Sequence, residues 1–177
     1  MANFTLVPHS EKSYPFSFIT KINANKNSFY VSYTLEGDIS SIDLGNYTPD
    51  KNRRLNLWEK SCFELFLCSE DGHYLEFNLA PNFGWNVFSF TKLRGPLLEL
   101  DTIHDIEMDI LNSSEKFFLV AKIDFKDLPE KFREIDKLKF GITSVMKLQN
   151  NDVEYWALTH CDQRPNFHRY ESFIGKF

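Results

Sequence analysis

Clustered positive charge is missing from this sequence. Its 177 residues carry 20 Lys and Arg against 25 Asp and Glu, which gives a formal net charge of −5. A protein that binds nucleic acid neutralises phosphates with a cationic surface, and a helix that lies on an anionic membrane is also basic. No run of Lys and Arg of that kind is present, so we expect neither nucleic acid nor a membrane as a partner.

Long apolar runs are also missing. No segment approaches the roughly 20 apolar residues of a transmembrane helix, and residues 1–15 lack the basic and then apolar segments of a secretory signal. Cysteine is scarce as well, with Cys62, Cys68 and Cys161. Cys62 and Cys68 fall on one predicted strand roughly 20 Å apart, which is beyond the reach of a disulfide. The odd count predicts free thiols and a cytoplasmic location.

Helical periodicity is nearly absent, and strand-like alternation takes its place. Aromatic residues make up 16% of the chain, with 18 Phe, and large rings favour packed sheets. Helical spacing occurs only in residues 128–134. The fold class predicted is all-β: an antiparallel β-sandwich, immunoglobulin-like or jelly roll, of about ten strands with one short helix. The predicted strands cover residues 16–20, 29–35, 61–68, 73–79, 85–92, 104–111, 116–125, 137–148, 154–159 and 172–177.

No linker composition divides the chain. We expect residues 1–28 to form a lead-in strand and loop packed on the domain, and residues 29–177 to form the sandwich. Residues 45–56 read as a polar loop that carries Arg53 and Arg54. Gly141, inside a predicted strand, marks a possible bulge or bend.

Two strongly patterned strands around residues 69–72 carry acids where a sheet usually places apolar residues. Pairing Cys68 with Tyr74 and Glu64 with Asn78 gathers every aliphatic residue on one face. The other face then holds two carboxyl groups, an amide, two thiols and two rings: Cys62, Glu64, Phe66, Cys68, Tyr74, Glu76 and Asn78. A slip of one residue would mix the two sets, so we predict this register.

The polar face has two interpretations. It is either an ordinary solvated face of an antiparallel sheet or a shallow groove whose carboxyl groups and amide bind hydroxyl groups. Trp58 and Trp85 flank the hairpin, each either a stacking platform or a core residue. Glu64 and Glu76 also have the cross-strand proximity of glycoside hydrolase acids, but paired strand acids alone do not define an active site.

The loop of residues 160–169 is the other dense polar stretch. It contains His160, Cys161, Asp162 and His168, whose spacing matches no standard zinc pattern. The loop is therefore either structural or a ligand-contacting loop, with a metal site the weaker alternative. The common nucleophile, phosphate-loop, zinc-protease and dinucleotide motifs are absent. A catalytic triad, which is defined by geometry, stays open.

Several segments together resemble the DOMON-like domains related to family 9 carbohydrate-binding modules. They are Leu57-Trp58, Cys62 to Phe66, Tyr74 to Asn78 with Pro81, Trp85-Asn86, Lys139 to Val145, Tyr155 to Leu158 and Pro165 to His168. The resemblance covers residues 29–177 and implies a β-sandwich that binds a sugar or haem without catalysis. The haem-binding branch uses a Met and a His as axial ligands, and Met108 and Met146 show no clear match to that pattern.

The leading hypothesis is a non-catalytic binding domain for a saccharide or similar polyhydroxylated small molecule, with no cofactor. Trp58 and Trp85 would stack on the ligand, Arg54, Glu64, Glu76 and Asn78 would bond its hydroxyls, and His160, Asp162 and His168 would close one end. The alternatives are haem or metal binding, a protein-interaction domain without a small ligand, and a hydrolase. The sequence leaves the oligomeric state open.

Overall fold

Two antiparallel sheets pack face to face in the computed structural model, which describes residues 2–45 and 51–177. Five strands form one sheet and eight form the other. The strands are β1 (Ala2–Thr5), β2 (Val7–Pro8), β3 (Phe16–Ala24), β4 (Ser28–Gly37), β5 (Cys62–Cys68), β6 (Tyr74–Leu79), β7 (Trp85–Phe90), β8 (Leu98–Glu99), β9 (Glu107–Asn112), β10 (Lys116–Asp124), β11 (Lys139–Lys147), β12 (Val153–Ala157) and β13 (Gly175–Lys176).

The strand order places the predicted hairpin deep in its sheet. The smaller sheet has the order β1-β3-β4-β10-β9, and the larger has β2-β12-β11-β5-β6-β7-β8, with β13 also paired to β11. Strands β5 and β6 therefore have strand neighbours on both sides. The predicted fold class, an antiparallel β-sandwich with almost no helix, is confirmed.

The register predicted for the hairpin is confirmed. Cys68 pairs with Tyr74, Phe66 with Glu76 and Glu64 with Asn78. The six alternate residues on the inner face all belong to the main core between the sheets: Phe63, Leu65, Leu67, Leu75, Phe77 and Leu79. Phe63 stacks on Phe117 of the facing sheet with ring centroids 5.1 Å apart. Tyr33 crosses the same interface, and its hydroxyl donates to the Glu64 carbonyl oxygen at 2.8 Å.

The helix expected over residues 128–134 is shorter than predicted and consists of one 3-10 turn, Glu130–Phe132. The described residues contain only three-residue 3-10 helices: Ile39–Ser41, Leu57–Glu59, Phe125–Asp127, Glu130–Phe132, Ile135–Lys137 and Tyr170–Ser172. So short an amphipathic segment cannot offset the cost of helix nucleation, and it packs through Leu128 and Phe132 alone, which are buried.

Strand ends differ from the predicted bounds by a few residues, and three short strands, β1, β2 and β8, were not predicted. The predicted last strand shrinks to Gly175–Lys176, because residues 170–172 form a 3-10 turn. Gly141 makes no bulge, since the pairing of β11 with β5 runs through it without interruption. Of the predicted loop over residues 45–56, residues 46–50 lie outside the described part of the chain.

The division of the chain at residue 28 stays a prediction. Strand β3 pairs along its whole length with β4, so the first residues of the chain contribute an inner strand of the smaller sheet. Within the described ranges, no helix is long and apolar enough to cross a membrane.

Replacing Phe63 by Ala should destabilise the fold severely. Phe63 is fully buried at the centre of the sandwich, and removing such a ring leaves a cavity that typically costs about 3–5 kcal/mol. Urea unfolding followed by far-ultraviolet circular dichroism measures the loss. Leu111→Ala is the matched control, because Leu111 is 69% exposed on an edge strand. Equal effects of the two substitutions would contradict the packing described here.

Candidate functional site

The outer face of the β5–β6 hairpin is covered by protein, so its description as an ordinary solvated face is wrong. Three segments lie over it: the turn Leu57–Glu59, residues 93–97 and residues 165–173. Their apolar side chains join those of the sheet in a second, smaller core made of Phe66, Cys68, Tyr74, Phe88, Phe90 and Phe173, with Trp58, Leu93 and Phe167 packed against it. Glu64 and Glu76 are only 3% and 5% exposed.

A cleft of about 280 Å3 opens beside this second core. It is lined by Trp58, Glu64, Glu76, Arg94, Leu97, Val145, Tyr155, Pro165, Asn166, Phe167 and His168. Two carboxyl groups thus share a small space with aromatic and aliphatic walls, the usual composition of a small-molecule site. A larger concavity of about 830 Å3 near Ser40 and Lys60 has no aromatic ring among the described residues that line it.

Glu64 reaches the cleft from β5 and has one side-chain partner. The hydroxyl of Thr143, its cross-strand neighbour on β11, donates to Glu64 Oε2 at 2.8 Å. No hydrogen bond from a described residue reaches Glu64 Oε1. One oxygen of this buried carboxyl group is therefore free for a ligand in the cleft.

Glu76 lies diagonally across the hairpin from Glu64. The side-chain amide of Asn78 donates to Glu76 Oε1 at 2.9 Å, and Nε2 of His168 stands 3.6 Å from Glu76 Oε2. That second contact is longer than a good hydrogen bond. Glu76 Oε2 is thus the less engaged oxygen of the second carboxyl group.

Burial governs the protonation of these groups. Desolvation raises the pKa of Glu64, and repulsion by Glu76 raises it further. Desolvation likewise raises the pKa of Glu76. His168 responds in the opposite sense, because burial and then the positive charge of Arg94 lower its pKa to about 4. The imidazole is neutral near pH 7, so it cannot serve as a fixed cation for the carboxyl pair.

A chain of hydrogen bonds holds His168 in place. Its Nδ1 is 2.8 Å from the Tyr74 hydroxyl, which also accepts a hydrogen bond from the backbone N–H of Arg94. The Arg94 guanidinium donates to the Asn166 side-chain oxygen at 2.7 Å, and the Asn166 amide donates to Asp162 Oδ2. The two loops that cover the sheet are therefore tied to each other and to β6.

The structure places Trp58, Glu64, Glu76 and His168 together in the cleft, and Trp85 elsewhere. Leu79 pairs with Trp85 across β6 and β7, so the Trp85 ring lies on the inner face, where it is 2% exposed. Its indole N–H donates to the Lys51 carbonyl, and the Arg53 guanidinium lies 4.6 Å from its ring centroid. Its expected role as a stacking platform is wrong, because the alternation of β7 turns it into the core.

Arg54 is not among the residues that line the cleft, and its backbone pairs with β7 at Trp85. The neighbouring Arg53 has the larger structural role. Its guanidinium donates to the carbonyl oxygens of Leu100 and Ile103 and to the Asn86 side chain. Arg53 thereby fastens the segment after β8 to the sheet.

Three further predicted ligand contacts lie outside the cleft lining. Asn78 is fully buried behind Glu76, and its side-chain oxygen accepts from the Cys62 thiol, so it positions Glu76 instead of meeting a ligand. Asp162 does not line the cleft itself, but it accepts a hydrogen bond from Asn166, which does. His160 is bonded to the Val7 carbonyl oxygen and its ring stacks edge-on with His9, so it does not close the cleft.

Sequence reasoning missed Thr143, Arg94, Tyr155 and Phe167. Thr143 meets Glu64 only because β11 pairs with β5, although the two residues are 79 positions apart. Tyr155 and Phe167 form a T-shaped pair with ring centroids 6.0 Å apart at the cleft. Tyr155 lies in an alternating strand, so the face it occupies could have been predicted. No feature of the sequence around Arg94 indicates that it lines the cleft.

The Met residues that the haem alternative would use lie apart from His168. Met108 and Met146 are buried in the main core between the sheets, whereas His168 lies on the outer face of the larger sheet. A Met and a His are therefore not presented to one ligand from these positions. Within residues 2–45 and 51–177 no three His, Cys, Asp or Glu side chains are grouped closely enough to hold a metal ion.

Two solved structures share this fold. One is described as a "putative carbohydrate-binding protein" from Bacteroides uniformis ATCC 8492, with a TM-score of 0.66, 15% identity and coverage of 98% of this chain and 84% of the other. The second is a family 9 carbohydrate-binding module from Caldicellulosiruptor kristjanssonii in complex with glucose, with a TM-score of 0.60, 13% identity and coverage of 93% and 77%. At these identities the likeness establishes a carbohydrate-binding-module-like sandwich fold.

No protein-family model matches the sequence, and no curated protein matches it either.

Glu64→Gln should stabilise the protein more at pH 8 than at pH 5. The raised pKa means that the folded state holds protons which the unfolded chain releases above about pH 4.3, so the free energy of unfolding falls as pH rises through the folded pKa. The amide removes the buried charge and keeps an acceptor for Thr143. We expect a gain on the order of 1–3 kcal/mol at pH 8, measured by denaturant unfolding.

Glu59→Gln is the control for that measurement, because Glu59 is exposed in the neighbouring turn. A Glu64→Gln gain that does not change between pH 5 and pH 8 would show that the carboxyl group ionises normally.

Gly141→Ala should loosen the segment that covers the sheet. A Cβ atom at Gly141 would stand 2.8 Å from the Phe173 ring, which stacks on Phe66 with centroids 5.4 Å apart. We expect faster cleavage by trypsin after Arg169, followed by mass spectrometry. The double variant Gly141→Ala/Phe173→Leu restores space and should recover resistance. Equal cleavage of wild type and Gly141→Ala would refute this packing role.

Proposed function

We propose that this protein is a non-catalytic binding domain for a saccharide or a similar polyhydroxylated small molecule, held in the cleft between Trp58, Glu64, Glu76 and His168. We also infer a relation to DOMON-like domains and keep a cytoplasmic location as part of the proposal. The ligand would be bound by hydrogen bonds from its hydroxyl groups and by contact of its apolar face with the cleft walls.

The observation that carries the proposal is the pair of buried carboxyl groups, each with one oxygen left for a ligand. Among the described residues Glu64 Oε1 has no hydrogen-bond partner, and the only group near Glu76 Oε2 is Nε2 of His168 at 3.6 Å. Both carboxyl groups have lost most of their contact with water, so donors in the cleft that bond them are favourable. The hydroxyl groups of a polyol are donors of the kind that both oxygens can accept from.

The walls of the cleft suit the apolar face of a sugar ring. Trp58 is half-buried at the edge of the second core, where its ring packs edge-on against Phe88 with centroids 5.8 Å apart. Tyr155 and Phe167 add further rings. Aromatic side chains contribute a large contact area with little loss of conformational entropy.

The volume of the cleft indicates the size of the ligand. About 280 Å3 is at the lower end of small-molecule sites. A monosaccharide, or one terminal sugar unit of a longer chain, therefore fits better than an internal segment of a polysaccharide.

The fold comparison supports this function indirectly. The family 9 module with the same fold was solved with glucose, and the Bacteroides protein is also described as carbohydrate-binding. Proteins of one fold can have many different functions. The proposal therefore depends on the residues of the cleft, and the shared fold is supporting evidence.

Glucose and a panel of mono- and disaccharides should change the tryptophan fluorescence of the protein on binding. Trp58→Ala should weaken binding by at least about tenfold, because it removes the indole wall. The titration is done by calorimetry in parallel, and recovery of the sugar unchanged by chromatography separates binding from hydrolysis.

Tyr30→Ala is the matched control, since Tyr30 is a partly exposed ring on the smaller sheet. No heat and no fluorescence change with any member of the panel would refute the proposal and favour a protein-interaction domain. Release of reducing sugar from a glycoside, abolished in Glu64→Gln, would assign a hydrolase instead.

A further inference from the structure

We propose that the preferred ligand carries an ammonium group in addition to its hydroxyl groups, as in an amino sugar with a free amine. The inference rests on the proposed function, because it assigns the chemical class of the ligand in the same cleft. It is carried by the charge balance around Glu64 and Glu76.

The two carboxyl groups have no cation of their own. Among the described residues, no Lys or Arg nitrogen lies within 4.0 Å of either side chain, and the one ionisable nitrogen near them belongs to His168. The side chains that donate hydrogen bonds to them, Thr143 and Asn78, are neutral. Both side chains are more than nine-tenths buried and line the cleft.

Arg94 is not the cation that pairs with the two carboxyl groups. Its guanidinium lines the cleft but donates to the Asn166 side chain, which is linked to Asp162. Its positive charge acts on His168 and helps to keep that imidazole neutral. Arg94 is therefore placed to bond a hydroxyl group of the ligand, at a different part of the cleft from the carboxyl pair.

The remaining ionisable groups near the pair are neutral. Burial raises the pKa of Tyr74 to about 12, and burial with repulsion by the two carboxyl groups raises the pKa of the Cys62 thiol. Neither can compensate a negative charge. The pair consequently retains protons more readily than free carboxyl groups do.

A hydroxyl group can bond the pair in either protonation state, whereas an ammonium group also compensates the negative charge that forms when the pair releases its protons to solvent. An ammonium nitrogen carries three N–H donors for the carboxyl oxygens of the cleft. Charge-assisted hydrogen bonds are also about twice as strong as neutral ones. Calcium fits less well, because it takes six to eight oxygen ligands and the cleft lining offers no third acid.

Calorimetry at about pH 6.5 tests the inference with glucose, 2-amino-2-deoxyglucose, 6-amino-6-deoxyglucose and N-acetylglucosamine. At least one free-amine sugar should bind about tenfold or more tightly than glucose, and N-acetylglucosamine, which has no charge, should lose that advantage. Binding of the amine should also release protons, seen as a dependence of the measured heat on the ionisation enthalpy of the buffer.

The double variant Glu64→Gln/Glu76→Gln should bind glucose and the amino sugars equally, whereas Glu59→Gln should keep the preference. Glucose binding as tight as that of both free-amine sugars would overturn this inference and leave the proposed function standing. A preference for the amine that survives in the double variant would also overturn it, because other residues would then recognise the ammonium group. Silence with all four sugars would overturn this inference, and silence with the whole panel of mono- and disaccharides would refute the proposed function as well.

Discussion

Burial of two carboxyl groups under a second aromatic core is the constraint around which this molecule is built. Strict alternation along β5 and β6 sends Glu64 and Glu76 to one side and the aliphatic residues to the other. Most antiparallel sheets would leave the polar side in water. Here residues 165–173, residues 93–97 and Trp58 cover it, and in the described part of the chain no Lys or Arg nitrogen within 4.0 Å compensates the acids for the hydration they lose. A site that holds two such groups is poised for a ligand that donates to them.

The register of the hairpin could be predicted from the sequence, because only one pairing segregates the aliphatic residues. The segments that cover the hairpin could not be predicted, because their contacts join residues that are far apart in the sequence. Thr143 reaches Glu64 across 79 positions, and Tyr74 reaches His168 across 94. Phe173 fits over the sheet because Gly141 has no side chain there. A glycine in a strand signals a bend or a close approach equally well, and the sequence alone does not distinguish them.

The two tryptophans show the limit of local reasoning. Trp58 and Trp85 both flank the hairpin, and both were expected to face the ligand. Trp58 does line the cleft, but the turn between β6 and β7 pairs Leu79 with Trp85 and so sends Trp85 into the main core. The two histidines of the loop are separated by their contacts: His168 enters the cleft, whereas His160, at the other end of the same loop, is held by the backbone of β2. Residue type and position in the sequence identified the candidate site residues. For Trp85, the alternation of side chains along β7 decided that it faces the core.

The central claim is that Glu64 and Glu76 share a desolvated cleft in which a polyhydroxylated ligand binds. The most direct test is to follow the side-chain carboxyl carbons by carbon-13 NMR as pH is varied, with and without saturating sugar, using Glu64→Gln and Glu76→Gln to assign the signals. We expect two glutamates that titrate well above the ordinary range near pH 4.3 in the free protein. Both pKa values should fall when the sugar binds, because donors that bond the charged form favour it. Glutamates that all titrate in the ordinary range and do not respond to any sugar would contradict the account.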